Sequence, residues 1–212
     1  GYPAEQVRRL VRVGDMVTLK MEPVELMNDV VAGKTMDDRA SIYAMLETAR
    51  TLSRMDTGAQ VYYVASSQEE VGSKGAMTAA WSIHPDLAIA IDVTFGKDPG
   101  ASRWDWDTFP LDKVVLAVGP NIHPMLGKKL QDVAKKYHVA CAQEIFDGPT
   151  GTDAAEIQVA RGGIPCVLVS IPLKYMHTTV ETIKTETVKE AGRLMAMFID
   201  EISREWEDLK WY

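Results

Sequence analysis

Five carboxylates and one histidine of this sequence lie either at the end of an apolar run or at the start of a predicted helix. Two acidic residues open a predicted helix, two follow the run VYYVASS, one ends LAIAI, and the histidine follows PCVLVSI. In open α/β sheets, ligands bind beyond the carboxyl ends of the strands. We therefore expect four separate segments to deliver these side chains to one rim of a sheet. The residues are Asp37, Asp38, Glu69, Glu70, Asp92 and His177.

Taken singly, each of these residues has an ordinary structural explanation. An Asp at a helix start is usually a cap, and a Glu-Glu pair is usually a solvated edge. The combination is harder to explain in this way, because Asp92 ends a wholly apolar strand and a buried carboxylate needs a cation or hydrogen bonds. Mixed carboxylate and imidazole ligands suit zinc, cobalt or manganese. A two-metal hydrolytic centre is the simplest interpretation.

The remaining histidines and both cysteines favour structural roles. His84 and His123 precede prolines, and His138 lies at the end of a predicted helix. Cys141 and Cys166 lie in apolar surroundings without metal-knuckle spacing, which is typical of buried, reduced thiols in a cytoplasmic protein.

Hydrophobic periodicity predicts the elements that position these residues. Apolar runs separated by amphipathic stretches predict an α/β three-layer sandwich, with helices on both faces of a mixed, largely parallel sheet. The loop 94–110 carries Trp104, Trp106 and Phe109, and is either a surface loop or part of a substrate wall. The predicted strands are 16–21, 61–67, 87–93, 113–118, 139–146 and 165–171, and the predicted helices are 37–54, 75–83, 124–137, 153–160 and a last one from Glu186 onward.

Composition narrows the class of protein. The 212 residues are 46% apolar and 25% charged, which excludes disorder, and no run reaches the length of a membrane span. The formal net charge of −7 offers no electrostatic footprint for nucleic acid or for an anionic membrane. The expected class is therefore an ordinary globular domain that binds neither.

Five motifs resemble those of the tetrahedral and glutamyl aminopeptidases, dinuclear metallopeptidases of which some members carry the name endoglucanase. They cover nearly the whole chain in the family's order. The resemblance implies a zinc-exopeptidase-like fold, a peptide substrate, two divalent ions (zinc or cobalt, or else manganese) and assembly into a homo-oligomer. The motifs are DDRAS at 37–41, SSQEEVGSKGA at 66–76, AIDVT at 90–94, GTDAAEIQ at 151–158 and IPLKYMHTTVE at 171–181.

The resemblance also implies a role for each residue. Asp37 would bridge the two metals, Glu70 and His177 would hold one of them, and Asp92 the other. Glu69 would be the general base that takes a proton from the metal-bridging water.

Four further residues would support these ligands. Asp38 would position the backbone after a cis peptide bond, and Glu181 would orient the imidazole. Thr152 and Asp153 would line the site, or else cap the next helix.

One departure from the family pattern concerns the first residues. The family supplies a further ligand, a His followed two residues later by an Asp, from an N-terminal strand, and no His precedes Asp37 here. Residues 1–30 resemble the end of the family's inserted β-domain for dimer contacts, and 31–212 the catalytic domain without its N-terminal strands. We therefore expect weak binding at the metal held by Asp92, little or no peptidase activity, and exposed apolar surface.

Two other functions remain open on these residues. A glycosidase would need two carboxylates flanking the scissile bond, and a non-catalytic role as a pseudoenzyme or assembly subunit is compatible with the missing His. Peptide hydrolysis and its sensitivity to chelators separate the three.

Overall fold

The computed structural model describes residues 1–100 and 108–209, so Trp104 and Trp106 of the predicted aromatic loop lie outside the described residues. Phe109 of that loop is buried and forms a β-bridge with Gly96. Within them, no helix is long and apolar enough to cross a membrane. Short 3₁₀ helices occur at Glu69–Val71 and Trp206–Asp208. The strands are β1 (Val24–Leu26), β2 (Val30–Gly33), β3 (Ala88–Phe95), β4 (Val114–Val118), β5 (Cys141–Ile145), β6 (Cys166–Lys174) and β7 (Glu181–Lys184). The helices are α1 (Ala4–Leu10), α2 (Met36–Leu52), α3 (Lys74–Ile83), α4 (Pro124–Lys136), α5 (Asp153–Ile157) and α6 (Thr185–Arg204).

The seven strands form one mixed sheet. The order β1-β2-β7-β6-β4-β5 is joined by β3, which pairs with β6. The pairs β3–β6 and β4–β5 are parallel, whereas β1–β2, β2–β7, β6–β7 and β4–β6 are antiparallel. The prediction of a largely parallel sheet is therefore wrong for the described residues. The physical reason lies in the connections, because the short links from β1 to β2 and from β6 to β7 cannot form a parallel crossover.

The sheet lies between two helical layers, as predicted for a three-layer sandwich. On one side α6 packs against α2 and α4, and on the other α3 packs against α5, which contacts β3 and β6. Eight of the nine residues of β6 are buried, as expected of a strand covered on both faces. The core is built from β4, β6, α4 and α6, including Val115, Val169, Leu126 and Phe198.

Two of the predicted strands do not form ladders. Residues 16–21 are exposed and form no ladder with the described residues, since a β-rich run without a partner strand gains no stability. Thr18 Oγ1 accepts from Lys34 Nζ at 3.3 Å. Residues 61–67 likewise form no ladder, although Gly75 N donates to Ser67 O at 2.9 Å.

The first thirty residues also differ from expectation in detail. They contain the short helix α1, where no helix was predicted. The β1–β2 hairpin crosses the predicted domain boundary at residue 30 and joins the main sheet through β7. The assignment of residues 1–30 to an inserted β-domain stays a prediction.

The contact between α2 and α6 depends on Gly192. A β-carbon at this position would lie 2.5 Å from Ala44 O, and Thr48 Oγ1 donates to Gly192 O at 3.0 Å. We expect Gly192→Ala to lower the free energy of unfolding by about 2 kcal/mol, although Ala normally favours a helix over Gly. Urea unfolding measures the change.

A matched control uses a glycine in open space. A β-carbon at Gly162 would have no atom within 4 Å, so Gly162→Ala should change stability by less than about 0.5 kcal/mol. Equal unfolding curves for wild type and Gly192→Ala would show that the helices do not meet this closely.

Candidate active site

Three of the predicted ligands converge at one rim of the sheet. His177 Nε2 lies 3.0 Å from Asp37 Oδ2 and 3.2 Å from Glu70 Oε2. One ligand atom from each of the three residues lies within 4.8 Å of the others. They come from the start of α2, from the 3₁₀ helix at 69–71 and from the loop between β6 and β7. Three segments that are far apart in the chain therefore bring their side chains together, as predicted.

Glu181 holds two of these segments together through their backbones. Its side chain is buried at the start of β7, and Oε2 accepts from Met36 N at 2.6 Å and Asp37 N at 3.1 Å. Its other oxygen, Oε1, accepts from His177 N at 3.0 Å. His177 has a φ of 62°, a left-handed conformation that a non-glycine residue adopts only at a cost. Glu181 thus orients His177 through its backbone N–H, whereas the sequence suggested a partner for the ring.

Asp38 and Asp92 lie beside this trio in a drier environment. The peptide bond between Asp37 and Asp38 is cis, as the resemblance implied. Asp38 Oδ1 accepts from Ser41 N at 3.0 Å, so this residue caps the regular part of α2. Burial, opposed by the Ser41 hydrogen bonds and assisted by Asp37, raises the pKa of Asp38 to about 7.

Asp92 is the most perturbed carboxyl of the rim. Burial, followed by repulsion from Asp38, raises its pKa to about 9, although Oδ1 accepts from Val93 N at 2.8 Å. A carboxyl held neutral in this way is poised to ionise when a cation binds beside it.

A cavity of about 200 Å³ joins the site residues. Asp37, Glu69, Glu70, Asp92 and His177 all line it. Burial and then the charge of Glu70 raise the pKa of Asp37 to about 6, and burial and then Asp153 raise the pKa of Glu69. The clustered acids repel one another, and a divalent cation would relieve that repulsion.

The Thr-Asp turn contributes to both of its predicted roles. Thr152 lines the small cavity, and its Oγ1 accepts from Ala154 N at 3.3 Å as the cap of α5. Asp153 Oδ2 accepts from Ser66 Oγ at 2.5 Å, which ties the turn to the segment before Glu69.

Glu144 is a site residue that the sequence reasoning missed. It is buried on β5, lines the small cavity, and accepts from Thr94 Oγ1 at 2.9 Å. The signal was available, because Glu144 is a charge near the end of a predicted strand, like Asp92.

The cysteines lie outside this chemistry. Burial raises the pKa of Cys141 to about 11 and that of Cys166 to about 12, and neither forms a disulfide. Both thiols therefore stay protonated and poorly nucleophilic at neutral pH.

The donor set fits a divalent transition metal. Two carboxylates and an imidazole from Asp37, Glu70 and His177 form a site of the kind zinc and cobalt prefer. Asp92 lies outside this close group but lines the same cavity as Asp37. His177 is the only histidine among the described residues that line this cavity.

Comparison with known proteins identifies relatives of this chain. A curated relative, the lysyl aminopeptidase of Pyrococcus furiosus, is 40% identical over 170 residues, covering 79% of this chain and 47% of the relative. The chain thus spans about half the length of this relative.

Solved structures give the same picture. An aminopeptidase from the archaeon Desulfurococcus kamchatkensis superposes with a TM-score of 0.84 at 34% identity, covering 96% of this chain and 58% of that one. The Pyrococcus horikoshii TET1 peptidase, which can assemble into a tetrahedron or a large octahedral shell, gives 0.74 at 25% identity, with 93% and 58% covered. The family model for M42 glutamyl aminopeptidases matches residues 3–194. The chain therefore belongs to the M42 glutamyl aminopeptidase family.

Proposed function

We propose that this chain carries most of the catalytic site of a metal-dependent aminopeptidase that removes N-terminal residues from short peptides. The observation that carries the proposal is the close group of Asp37, Glu70 and His177 beside Glu69 in one cavity. Membership of an aminopeptidase family and the lysyl aminopeptidase relative support it.

In the proposed two-metal mechanism, Asp37, Glu70 and His177 would hold one divalent ion, zinc or cobalt or else manganese. Asp37 and Asp92 would hold the second. When bound, such ions lower the pKa of water and polarise the peptide carbonyl. Glu181 keeps Asp37 and His177 in register by accepting their backbone N–H groups.

Glu69 is the proposed general base. It lies next to Glu70 in the chain but outside the close metal-binding group, and it lines the same cavity. Burial raises its pKa towards the range in which a carboxylate both accepts and returns a proton near neutral pH. Glu69 would take a proton from the attacking water and deliver it to the leaving amine.

The substrate preference follows from the charge and size of the cavity. A space of about 200 Å³ lined by five acidic residues and one histidine would hold the ions and a small group beside them. The free α-amine of a peptide is such a group, and its binding near one of the ions would confine cleavage to the first residue. Lining carboxylates are Asp37, Glu69, Glu70, Asp92 and Glu144.

We also propose a cytoplasmic homo-oligomer. The TET1 neighbour supports assembly, and the free thiols of Cys141 and Cys166 suit a reducing compartment. Analytical ultracentrifugation of the chain measures its association directly.

The test of the function is hydrolysis of Lys-, Leu- and Glu-aminomethylcoumarin, with their N-acetyl forms as controls. We expect slow release that requires a free amine, stops with EDTA and returns with Co²⁺ or Zn²⁺. Because the second metal has few ligands here, the rate should be at least about 100-fold below that of the P. furiosus relative run in parallel.

The outcomes separate the candidate functions. Glu69→Gln should abolish the residual release, whereas Glu47→Gln, about three helical turns along α2 from Asp37, should leave it unchanged. Absence of any chelator-sensitive release would favour the non-catalytic role, and cellulose hydrolysis that survives EDTA would favour a glycosidase. A rate equal to that of the relative would overturn the expectation of a weak second metal.

A further inference from the structure

The small cavity of the candidate active site continues along β3 beyond the candidate metal ligands. Asp92 and Thr94 both line it. Residues two apart in a strand point to the same face of the sheet, and the rise of a strand places Thr94 about 7 Å beyond Asp92. The cavity therefore joins the ligand residues to a second group of side chains around Thr94.

Glu144 is the charged member of this second group. Its side chain is buried on β5, lines the cavity and accepts from Thr94 Oγ1 at 2.9 Å. It lies outside the close group of Asp37, Glu70 and His177. A carboxylate has about four acceptor positions, so it can serve several donors at once. Glu144 thus places acceptor capacity and negative charge at a distance from the candidate metal ligands.

Apolar side chains line the same cavity. Phe146 and Met176 both line it, and both pack against the hydrophobic core. Phe146 N donates to Val118 O at 2.8 Å, so Phe146 continues the line of β5 just after Glu144. A substrate side chain that passes these two residues would gain apolar contact along its length. We call the group formed by Thr94, Glu144, Phe146 and Met176 the side-chain pocket.

The side-chain pocket combines apolar walls with a buried carboxylate. Lysine and arginine have the matching form, an apolar stem that ends in a cation. Charge pairing and hydrogen bonds offset the loss of hydration of a buried carboxylate and of a cation beside it. An acidic side chain would be repelled by Glu144, and an aliphatic one would gain the apolar contacts without the charge pairing.

We propose that the side-chain pocket receives the side chain of the first residue of the substrate, and that Glu144 selects lysine or arginine at this position. The α-amine would lie near the ions, and the side chain would extend past Thr94 to the Glu144 carboxylate. The proposal rests on the aminopeptidase function proposed above, because a substrate held by its first residue places a side chain here.

A purely structural role for Glu144 predicts a different result. The hydrogen bond from Thr94 links β5 to β3, so loss of Glu144 could lower stability alone. Glu144→Gln separates the two roles, because glutamine keeps an oxygen for the Thr94 hydroxyl and removes the charge. A structural role would change the free energy of unfolding and leave the preference between ligands as it is in the wild type.

Binding of two amino acid amides tests the proposal without hydrolysis. Isothermal titration of the Co²⁺-loaded chain compares L-lysinamide with L-norleucinamide, which has the same α-amine and four-carbon stem but no side-chain ammonium. We expect lysinamide to bind at least about tenfold more tightly. Glu144→Gln should reduce this ratio to less than about twofold without weakening norleucinamide, whereas the control Glu47→Gln should keep the wild-type ratio.

NMR locates the bound ligand. Lysinamide should shift the amide signals of Thr94 and Glu144 more than norleucinamide does. Equal affinities of the two amides for the wild type, a ratio that survives Glu144→Gln, or failure of both amides to bind would each overturn the proposal. The comparison on the wild type needs no variant, so it gives a result even if Glu144→Gln does not fold.

Hydrolysis separates this proposal from the aminopeptidase function itself. The values of kcat/KM for Lys- and norleucine-aminomethylcoumarin are measured on the same preparation, so weak binding of the second ion affects both equally. We expect a ratio of at least about tenfold that Glu144→Gln removes. Equal rates for the two substrates, or faster release from Glu-aminomethylcoumarin, would overturn the selection by Glu144 and leave the aminopeptidase function standing. No release from any substrate, with the amide preference intact, would count against the function and not against the pocket.

Discussion

An Asp37→Asn variant should bind Co²⁺ at least about 100-fold more weakly than the wild type, a loss of about 2.7 kcal/mol. Asp37 and Glu70 both contact His177, and both line the cavity that Asp92 also lines. Of these two carboxylates, only Asp37 is buried. Its side chain is 8% exposed, so water cannot easily replace it as a ligand. Isothermal titration and the visible spectrum of bound Co²⁺ both report the affinity.

The stoichiometry should also show one strong and one weak site. The group of Asp37, Glu70 and His177 offers three ligands to the first ion. The proposed second ion would be held by Asp92 together with Asp37, without a further histidine among the described residues of the cavity. Two tightly held ions per chain would overturn this expectation.

Controls separate loss of a ligand from loss of structure. Asp56→Asn changes a carboxylate beyond the end of α2 and should leave the affinity unchanged. His177→Ala should weaken Co²⁺ binding and remove the imidazole contribution to its spectrum. If Asp37→Asn binds normally while remaining folded, the ion does not sit at this group.

The second large effect is a dependence of folding stability on pH. Burial raises the pKa of Asp92 to about 9 in the metal-free protein, against 3.8 for the unperturbed group. The folded state therefore holds a proton that the unfolded state releases, so stability is highest below pH 4 for this group and falls as the pH rises towards 9. At pH 7 the Asp92 carboxyl lowers the free energy of unfolding by roughly 4 kcal/mol relative to its value below pH 4.

Asp92→Asn should remove this dependence, because the amide has nearly the same shape and does not ionise. We expect the metal-free variant to exceed the wild type in free energy of unfolding by a few kcal/mol at pH 8. The difference should shrink as the pH is lowered to 5. Urea unfolding in EDTA across this range measures both curves.

The control for this experiment is Asp86→Asn, which changes a carboxylate in the turn before β3. Its curve should parallel that of the wild type throughout. A wild-type protein that gains stability relative to Asp92→Asn as the pH rises would show that the Asp92 carboxylate is already compensated. Added Zn²⁺ should narrow the difference, because the ion favours the ionised carboxylate.

Much of the architecture could be inferred from local patterns. The predicted helices at 37–54, 75–83 and 124–137 correspond closely to α2, α3 and α4, because amphipathic periodicity records which face each helix buries. The apolar run at 165–171 corresponds to β6 because a strand covered on both faces is apolar throughout. The site could be anticipated because a charge at the end of an apolar strand, such as Asp92, demands a partner.

Local patterns could not supply the pairing of strands. Residues 16–21 and 61–67 have strand-like side chains, but a ladder needs a neighbour, and the described residues provide none. The junction of β7 with β2 likewise depends on contacts between segments that are far apart in the chain. A short strand such as β7 carries too few residues for a periodicity signal.

The sequence by itself determined the helices α2 to α6, the main core strands and the kinds of side chain that gather at the rim, because these depend on residue type and spacing. Only the tertiary structure decided which of those side chains meet. It placed His177 within 3.2 Å of both Asp37 and Glu70 and used Glu181 to hold the backbones of Asp37 and His177. It also left a cavity of about 1010 Å³ beside β3. Distances between segments far apart in the chain follow from packing, which no local pattern encodes.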